Sequence, residues 1–264
     1  MLLRRGCLAL FCLPLAAHVL FVMPSSFHVS NGERITVGLH NGDAFPASEG
    51  APSLERLRDV TVHAGKLQYN VTNIRVDGNR AIGDARIPAK GTLVIGARTV
   101  PNFIELAPEA FEKYLKEEGM AQVIELRKQR GESAKPGREL YSKYVKSLIR
   151  SGSGDDTYAK PVGFAIELVP EKDPYSAKVG DRLPVRLLWK GKPASGVMIE
   201  STHVGLSGPA ESQAVGRTDS EGRAYVTLSA VGKWRLHAIA IERCADQQKA
   251  DWESFWASLT FEIR

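Results

Sequence analysis

The sequence predicts a mainly β protein of two β-sandwiches with an α-helical insert between them. Three observations predict it. Residues 24–105 alternate apolar and polar positions in short runs closed by turn residues. Residues 106–156 change to helical spacing, and from Gly163 onward the alternation returns. The expected division is a leader over 1–17, a first sandwich over 18–105, the helical insert and a linker over 106–156, and a second sandwich over 157–264.

In the first sandwich Ile35, Val37 and Leu39 share one face, and Asn41-Gly42-Asp43 turns the chain. Strands follow at Val60–His63, Leu67–Val71, Ile74–Val76 and Thr92–Gly96. In the insert, Pro108 suits the first turn of a helix, and Glu109 and Glu112 suit its positive end. Phe111, Tyr114 and Leu115 form its apolar stripe, and Gly119 closes it in the left-handed conformation. A second helix is expected from about Gln122 to Gln129. A third is expected after Pro136-Gly137, with Tyr141, Tyr144, Val145 and Leu148 as its stripe. The run 151–156, rich in Ser, Gly and Asp, reads as a flexible linker. In the second sandwich, Phe164, Ile166 and Leu168 alternate, as do Leu183, Val185, Leu187 and Trp189. Further strands run over 196–199, 224–228 and 234–241, and residues 252–263 supply a last edge.

The amino terminus reads as an export signal: Arg4 and Arg5, an apolar stretch from Cys7 to Leu15, then Ala16-Ala17 as the processing site. Cleavage there would begin the exported chain at His18 and place it in the periplasm. The apolar run from 6 to 23 leaves a second reading open, an uncleaved anchor in the inner membrane. A formal charge of +5, two of it carried by the leader arginines, is too weak to call for nucleic acid. Of the three cysteines only Cys244 lies beyond the leader, so neither an internal disulfide nor a cysteine-pair metal motif is expected. Cys244 itself reads as a small buried hydrophobe at a strand end.

Six histidines are the metal candidates, and no two have a local ligand spacing. As a released terminus, His18 could chelate one ion through its α-amino nitrogen and imidazole Nδ1, an arrangement suited to copper or nickel. His40 and His63 lie on faces opposite the apolar ones and are expected to be exposed. His237 shares a strand face with Ile239 and Ile241 and is expected to be packed. Scattered surface and core histidines are the plainer reading. An enzyme is not expected. Ser207 lies in Gly-Leu-Ser-Gly-Pro between strands, not in a nucleophile turn, and the pairs Glu117-Glu118 and Asp155-Asp156 read as solvated surface. Between Arg127 and Arg150 eight basic residues face two acids, and Lys143, Lys146 and Arg150 would form one basic stripe on the third helix. Such a stripe could contact anionic envelope lipid, or be an ordinary solvated face.

Gly191-Lys192-Pro193, Thr218-Asp219-x-x-Gly222-x-Ala224 and Gly232-Lys233-Trp234 resemble the turns of prealbumin-like and carboxypeptidase-regulatory-like domains. That resemblance implies Ig-like or prealbumin-like sandwiches and is silent about activity. Five further runs span the chain: His18 with Pro24-Ser25-Ser26-Phe27, 114–119, 138–148, 167–174 and 252–262. Together they resemble an exported bacterial family of unknown function labelled as a periplasmic component of nickel or cobalt uptake. The resemblance implies a periplasmic binding or accessory protein, with His18 as leading metal ligand and His40 or His237 as partners. It further implies an inner-membrane transporter or another envelope protein as its contact. Two departures stand out: Val19–Val22 follows His18 where the family carries an acidic or aromatic residue, and Leu236–Ile241 replaces a histidine-methionine stretch. The alternatives are an envelope scaffold without metal and a copper enzyme with an N-terminal histidine brace.

Overall fold

Three sheets organise the chain in the computed structural model, which describes residues 18–205 and 208–264. The first half carries β1 (Leu20–Pro24), β2 (His28–Val29), β3 (Arg34–Asn41), β4 (Leu57–Ala64), β5 (Leu67–Asn70), β6 (Thr72–Asp77), β7 (Arg80–Arg86), β8 (Gly91–Thr99) and β9 (Asn102–Leu106). Two helices follow, α1 (Pro108–Glu117) and α2 (Ala121–Gln129), and then β10 (Gly137–Ser151). The second half carries β11 (Ile166–Pro170), β12 (Arg182–Trp189), β13 (Lys192–Pro193), β14 (Met198–Val204), β15 (Glu211–Arg217), β16 (Arg223–Thr227), β17 (Gly232–Arg243) and β18 (Trp252–Ile263). The mainly β class is therefore as expected. The turn at Thr218–Gly222 also forms as read: Gly222 has φ +73, and Asp219 Oδ1 accepts from the backbone N–H of Glu221 and Arg223.

A ten-stranded sheet runs in the order β15-β14-β17-β18-β10-β8-β4-β5, with β2 and β9 also pairing β10. On one face lies the small sheet β1-β3-β7-β6. Its core joins Leu20, Val37 and Leu39 to Val62, Ile95, Val145 and Ile149. The helices pack on that same face through Phe111, Leu115 and Val123, against Tyr141, Ile239, Trp252 and Trp256. On the other face lies the sheet of β11, β12, β13 and β16. Its core joins Leu168, Val185 and Val226 to Leu148, Trp234, Leu236 and Phe261.

The expected third helix is a strand, β10. It pairs in parallel with β18 from Glu139 to Ser147, and antiparallel with β9 and β8. The reason lies in a shared spacing. Residues four apart share a face in a helix and in a strand alike. A strand covered on both faces is apolar on both, so Tyr141 and Val145 on one face and Tyr144 and Leu148 on the other read together as a helical stripe. The basic stripe fails for the same reason. Alternation puts Lys143 on the face opposite Lys146 and Arg150, and the two lysines are only 5% and 2% exposed. Lys146 Nζ donates to Glu167 Oε2 at 2.9 Å, and Arg150 pairs with Asp173. These residues leave no exposed stripe for an anionic surface.

Other expectations change as well. Residues 252–263 form no edge: β18 lies between β17 and β10. Ser258 and Thr260 on its covered face donate to Leu20 O at 2.8 Å and Val22 O at 2.6 Å, which seats β1 across the sheet. The end of the amino-terminal apolar run, Leu20–Met23, is thus a buried strand. The expected linker is tied down: Ser151 pairs with Gly91, and Asp155 Oδ1 accepts from the N–H of Thr92 and Thr157. Cys244 is a free, buried thiol just past β17, as expected. Among the described residues no helix is long and apolar enough to cross a membrane.

Burial of the Lys146–Glu167 pair sets a direct test. Glu167→Gln leaves the buried ammonium without its counter-charge and is expected to cost about 3 kcal/mol or more in urea unfolding. A change within about 0.5 kcal/mol, as for a solvated surface residue, would contradict this packing.

Candidate functional site

A cavity of about 380 Å³ opens between the helices and the face of the long sheet that carries β1. Local sequence puts each wall in place. At the end of α1 the chain reverses through Gly119 at φ +68, which leaves Glu117 and Glu118 on the rim. Alternation along β17 aims Arg235 and His237 at the same face, and β18 aims Trp256 beside them. β10 supplies Glu139 and Tyr141, and β9 an apolar wall of Ile104 and Leu106. Val19 and Asp43 close the side nearest the amino terminus.

His237 is packed, as its strand pattern predicts, and is 4% exposed. Its Nδ1 lies 3.0 Å from the carbonyl of Ala257, which can only accept, so Nδ1 carries the proton. Nε2 is left as a lone-pair acceptor with no hydrogen-bond partner, 3.8 Å from Glu118 Oε2. Burial, with Arg235 adding to it, lowers the His237 pKa to about 3 and keeps the ring neutral. Glu118 is not solvated surface. Burial and the neighbouring carboxylates of Glu200, Asp43 and Glu117 raise its pKa to about 8. Glu139, 2% exposed, is raised by burial to about 7. Its Oε1 accepts from Ser254 Oγ and from Tyr114 OH, while Oε2 has no partner. Tyr114 stacks on Trp256 with ring centres 5.9 Å apart.

His18 sits at the neighbouring edge. Its backbone carbonyl accepts from Lys143 Nζ at 2.5 Å, and Nζ also reaches Asn41 Oδ1 at 3.3 Å. Burial lowers the Lys143 pKa to about 7. The His18 imidazole is buried. Its Nε2 is 3.4 Å from Glu49 Oε2 and 3.8 Å from Asp43 Oδ2, and its Nδ1 has no hydrogen-bond partner. Glu49 is held below the usual carboxylate range by backbone N–H bonds from Ala44 and Asp43.

The three expected metal histidines do not converge. His40 is not exposed: β3 pairs it across from Phe21, and the two rings stack with centres 5.4 Å apart. Burial lowers its pKa to about 4. His237 lies on the cavity floor, and His18 meets Asp43 and Glu49 instead. His63 is half-buried, with Nε2 2.9 Å from Thr61 Oγ1, and His203 stacks on Trp234. Among the described residues no group of three or more His, Cys, Asp and Glu side chains is arranged to hold a metal ion. Leu206 and Ser207, and the leader 1–17, lie outside the described residues. Glu49, Glu118 and Glu139 escape sequence reasoning because the fold assembles them. One signal was available: Glu118 stands at the negative end of a helix, where an acid is unfavourable without another reason.

The chain is thus a β-sandwich protein with a cavity on one face of its long sheet. It belongs to a family described as a domain of unknown function (DUF4198), whose profile matches residues 15–242. No curated protein matches it at a significant level. Among solved structures it is similar to the Yersinia pseudotuberculosis adhesin InvE, at 12% identity and TM-score 0.25, over 94% of this chain and 59% of that one. It is also similar to the Escherichia coli adhesin FdeC, at 15% identity and TM-score 0.25, over 94% and 64%. A DUF4785 family protein from Legionella pneumophila matches at 9% identity and TM-score 0.26, over 81% and 50%. The chain therefore spans less than two thirds of the length of each.

The raised Glu118 carboxyl predicts a pH dependence. The folded chain holds this proton up to about pH 8, whereas an unfolded glutamate releases it near its ordinary value of 4.5. Its contribution to stability is complete below that value and is lost as pH rises through about 8. Relative to Glu118→Gln, the wild-type chain is expected to lose up to about 1.4 kcal/mol per pH unit across that window in denaturant unfolding. Parallel stability curves for the two proteins would contradict this.

Proposed function

We propose that this protein is an exported binding protein that holds one divalent transition-metal ion at an amino terminus released by processing after Ala17. The observation that carries this reading is the buried His18 imidazole, with an unpartnered Nδ1 and two carboxylates beside Nε2. The side chains alone complete no cage. Processing would add the α-amino nitrogen, which forms a chelate ring with Nδ1 of the same residue. The donors fit the chemistry: imidazole and amine nitrogens suit nickel, cobalt and copper, and Glu49, fixed by two backbone N–H groups on the Nε2 side of the ring, orients the imidazole without ligating the ion. Lys143 positions the residue by holding its carbonyl. Nickel or cobalt is the ion that the sequence resemblance implies, and an inner-membrane transporter is the partner such a protein would serve. His40 and His237 take no part in this site.

Native mass spectrometry of protein recovered from the periplasm after expression with trace nickel, cobalt and copper tests the reading. The expected species begins at His18 and carries one ion, and His18→Ala loses the ion. With the ion at a hundred times its Kd, the wild type should gain about 2.7 kcal/mol of stability. A chain that begins at His18 without metal overturns the reading and leaves the envelope scaffold in its place.

A further inference from the structure

The cavity beside this terminus carries a charge arrangement that no metal at His18 explains. Five carboxyl groups line it, Asp43, Glu117, Glu118, Glu139 and Glu200, against two cations, Lys113 and Arg235. The cations are engaged. Lys113 pairs with Glu117 at 3.7 Å. Arg235 donates to Gly42 O and Thr202 Oγ1, each at 3.3 Å, and lies 3.9 Å from Glu200. Asp43 faces His18. Among the described residues, no lysine or arginine side chain forms an ion pair with Glu118 or Glu139. Two buried acceptors therefore line the cavity without partners, Glu139 Oε2 and the lone pair of His237 Nε2. Unpartnered buried acceptors are costly, and burial without a paired cation raises the pKa values of Glu118 and Glu139.

We propose that this cavity binds a primary alkylammonium group, with Glu118, Glu139 and His237 Nε2 as its acceptors. The arithmetic of the site suits a nitrogen with several N–H donors. Acceptors 3.8 Å apart, as His237 Nε2 and Glu118 Oε2 are, can both be reached by one nitrogen at about 2.9 Å from each. The apolar wall of Ile104, Leu106 and Ala110 covers an aliphatic body. A volume of about 380 Å³ lies within the range of small-molecule sites and far exceeds what a bare ion needs. The stacked Tyr114 and Trp256 rings add aromatic surface of the kind that favours organic cations.

Titration calorimetry on the exported chain, treated with EDTA, tests the proposal with n-butylammonium, Nα-acetyl-lysine amide and, as the uncharged control, n-butanol. One-to-one binding of either amine and none of n-butanol is expected. The tighter of the two amines distinguishes a free amine from a lysine side chain presented by a peptide. Glu139→Gln should weaken binding at least tenfold. Glu118→Gln, at a partly exposed position, should do the same and guards against a Glu139 variant that fails to fold. In buffers of differing ionisation heat near pH 6.5, binding should release protons, up to two per amine. Absence of saturable binding in the wild type, unchanged affinity in folded variants, or binding that requires added nickel would overturn the proposal. Because the metal has been removed, the outcome is independent of any ion at His18.

Discussion

A strand covered on both faces cannot hold a charged side chain unless the layer above or below supplies a partner, and three of the four basic residues of β10, Lys143, Lys146 and Arg150, run through the middle of the protein. Each is answered from a different layer. Lys146 meets Glu167 on β11, in the sheet below. Arg150 meets Asp173 just beyond β11, and the Tyr175 ring lies beneath its guanidinium. Lys143, on the opposite face, takes the carbonyl of His18 and the side chain of Asn41. These contacts join the layers on both sides of the long sheet to one strand. They also give the layers a fixed register, because a one-residue slip would exchange the two lysines between faces.

The position of the amino terminus follows from the same strand. Lys143 holds His18 by its backbone, and the hydroxyls of Ser258 and Thr260 hold β1 by its carbonyls. Neither contact depends on the His18 side chain, so the imidazole is free to face Asp43 and Glu49. The cavity lies one step further along the same face, where β10, β17 and β18 present Glu139, His237 and Trp256 beneath the end of α1. Scaffold and candidate sites are therefore one arrangement: the strand that sets the layers also sets the distance from terminus to cavity.

Much of the fold is legible in the sequence where one face of an element is wet. β16 and α1 show their periods plainly, and the packing of His237 follows from its neighbours Ile239 and Ile241. Legibility fails where both faces are dry. In β10 the period-4 coincidence makes a buried strand look helical, and its basic residues then look like a solvated stripe. His40 fails for a related reason: the pattern marks its face correctly, but Phe21 from β1 covers that face. The sites are less legible still. Glu49, Glu118, Glu139 and His237 come from four separate segments, and only the sheet order brings them near the terminus.

If one buried strand joins the layers, the two halves of the protein unfold together. Scanning calorimetry of the exported chain measures this most directly, by comparing the calorimetric enthalpy with the van't Hoff enthalpy of the same transition. The account predicts a single transition in which the two agree. Two resolved transitions, or a calorimetric enthalpy near twice the van't Hoff value, would show that the halves fold as separate domains and that β10 does not unite them.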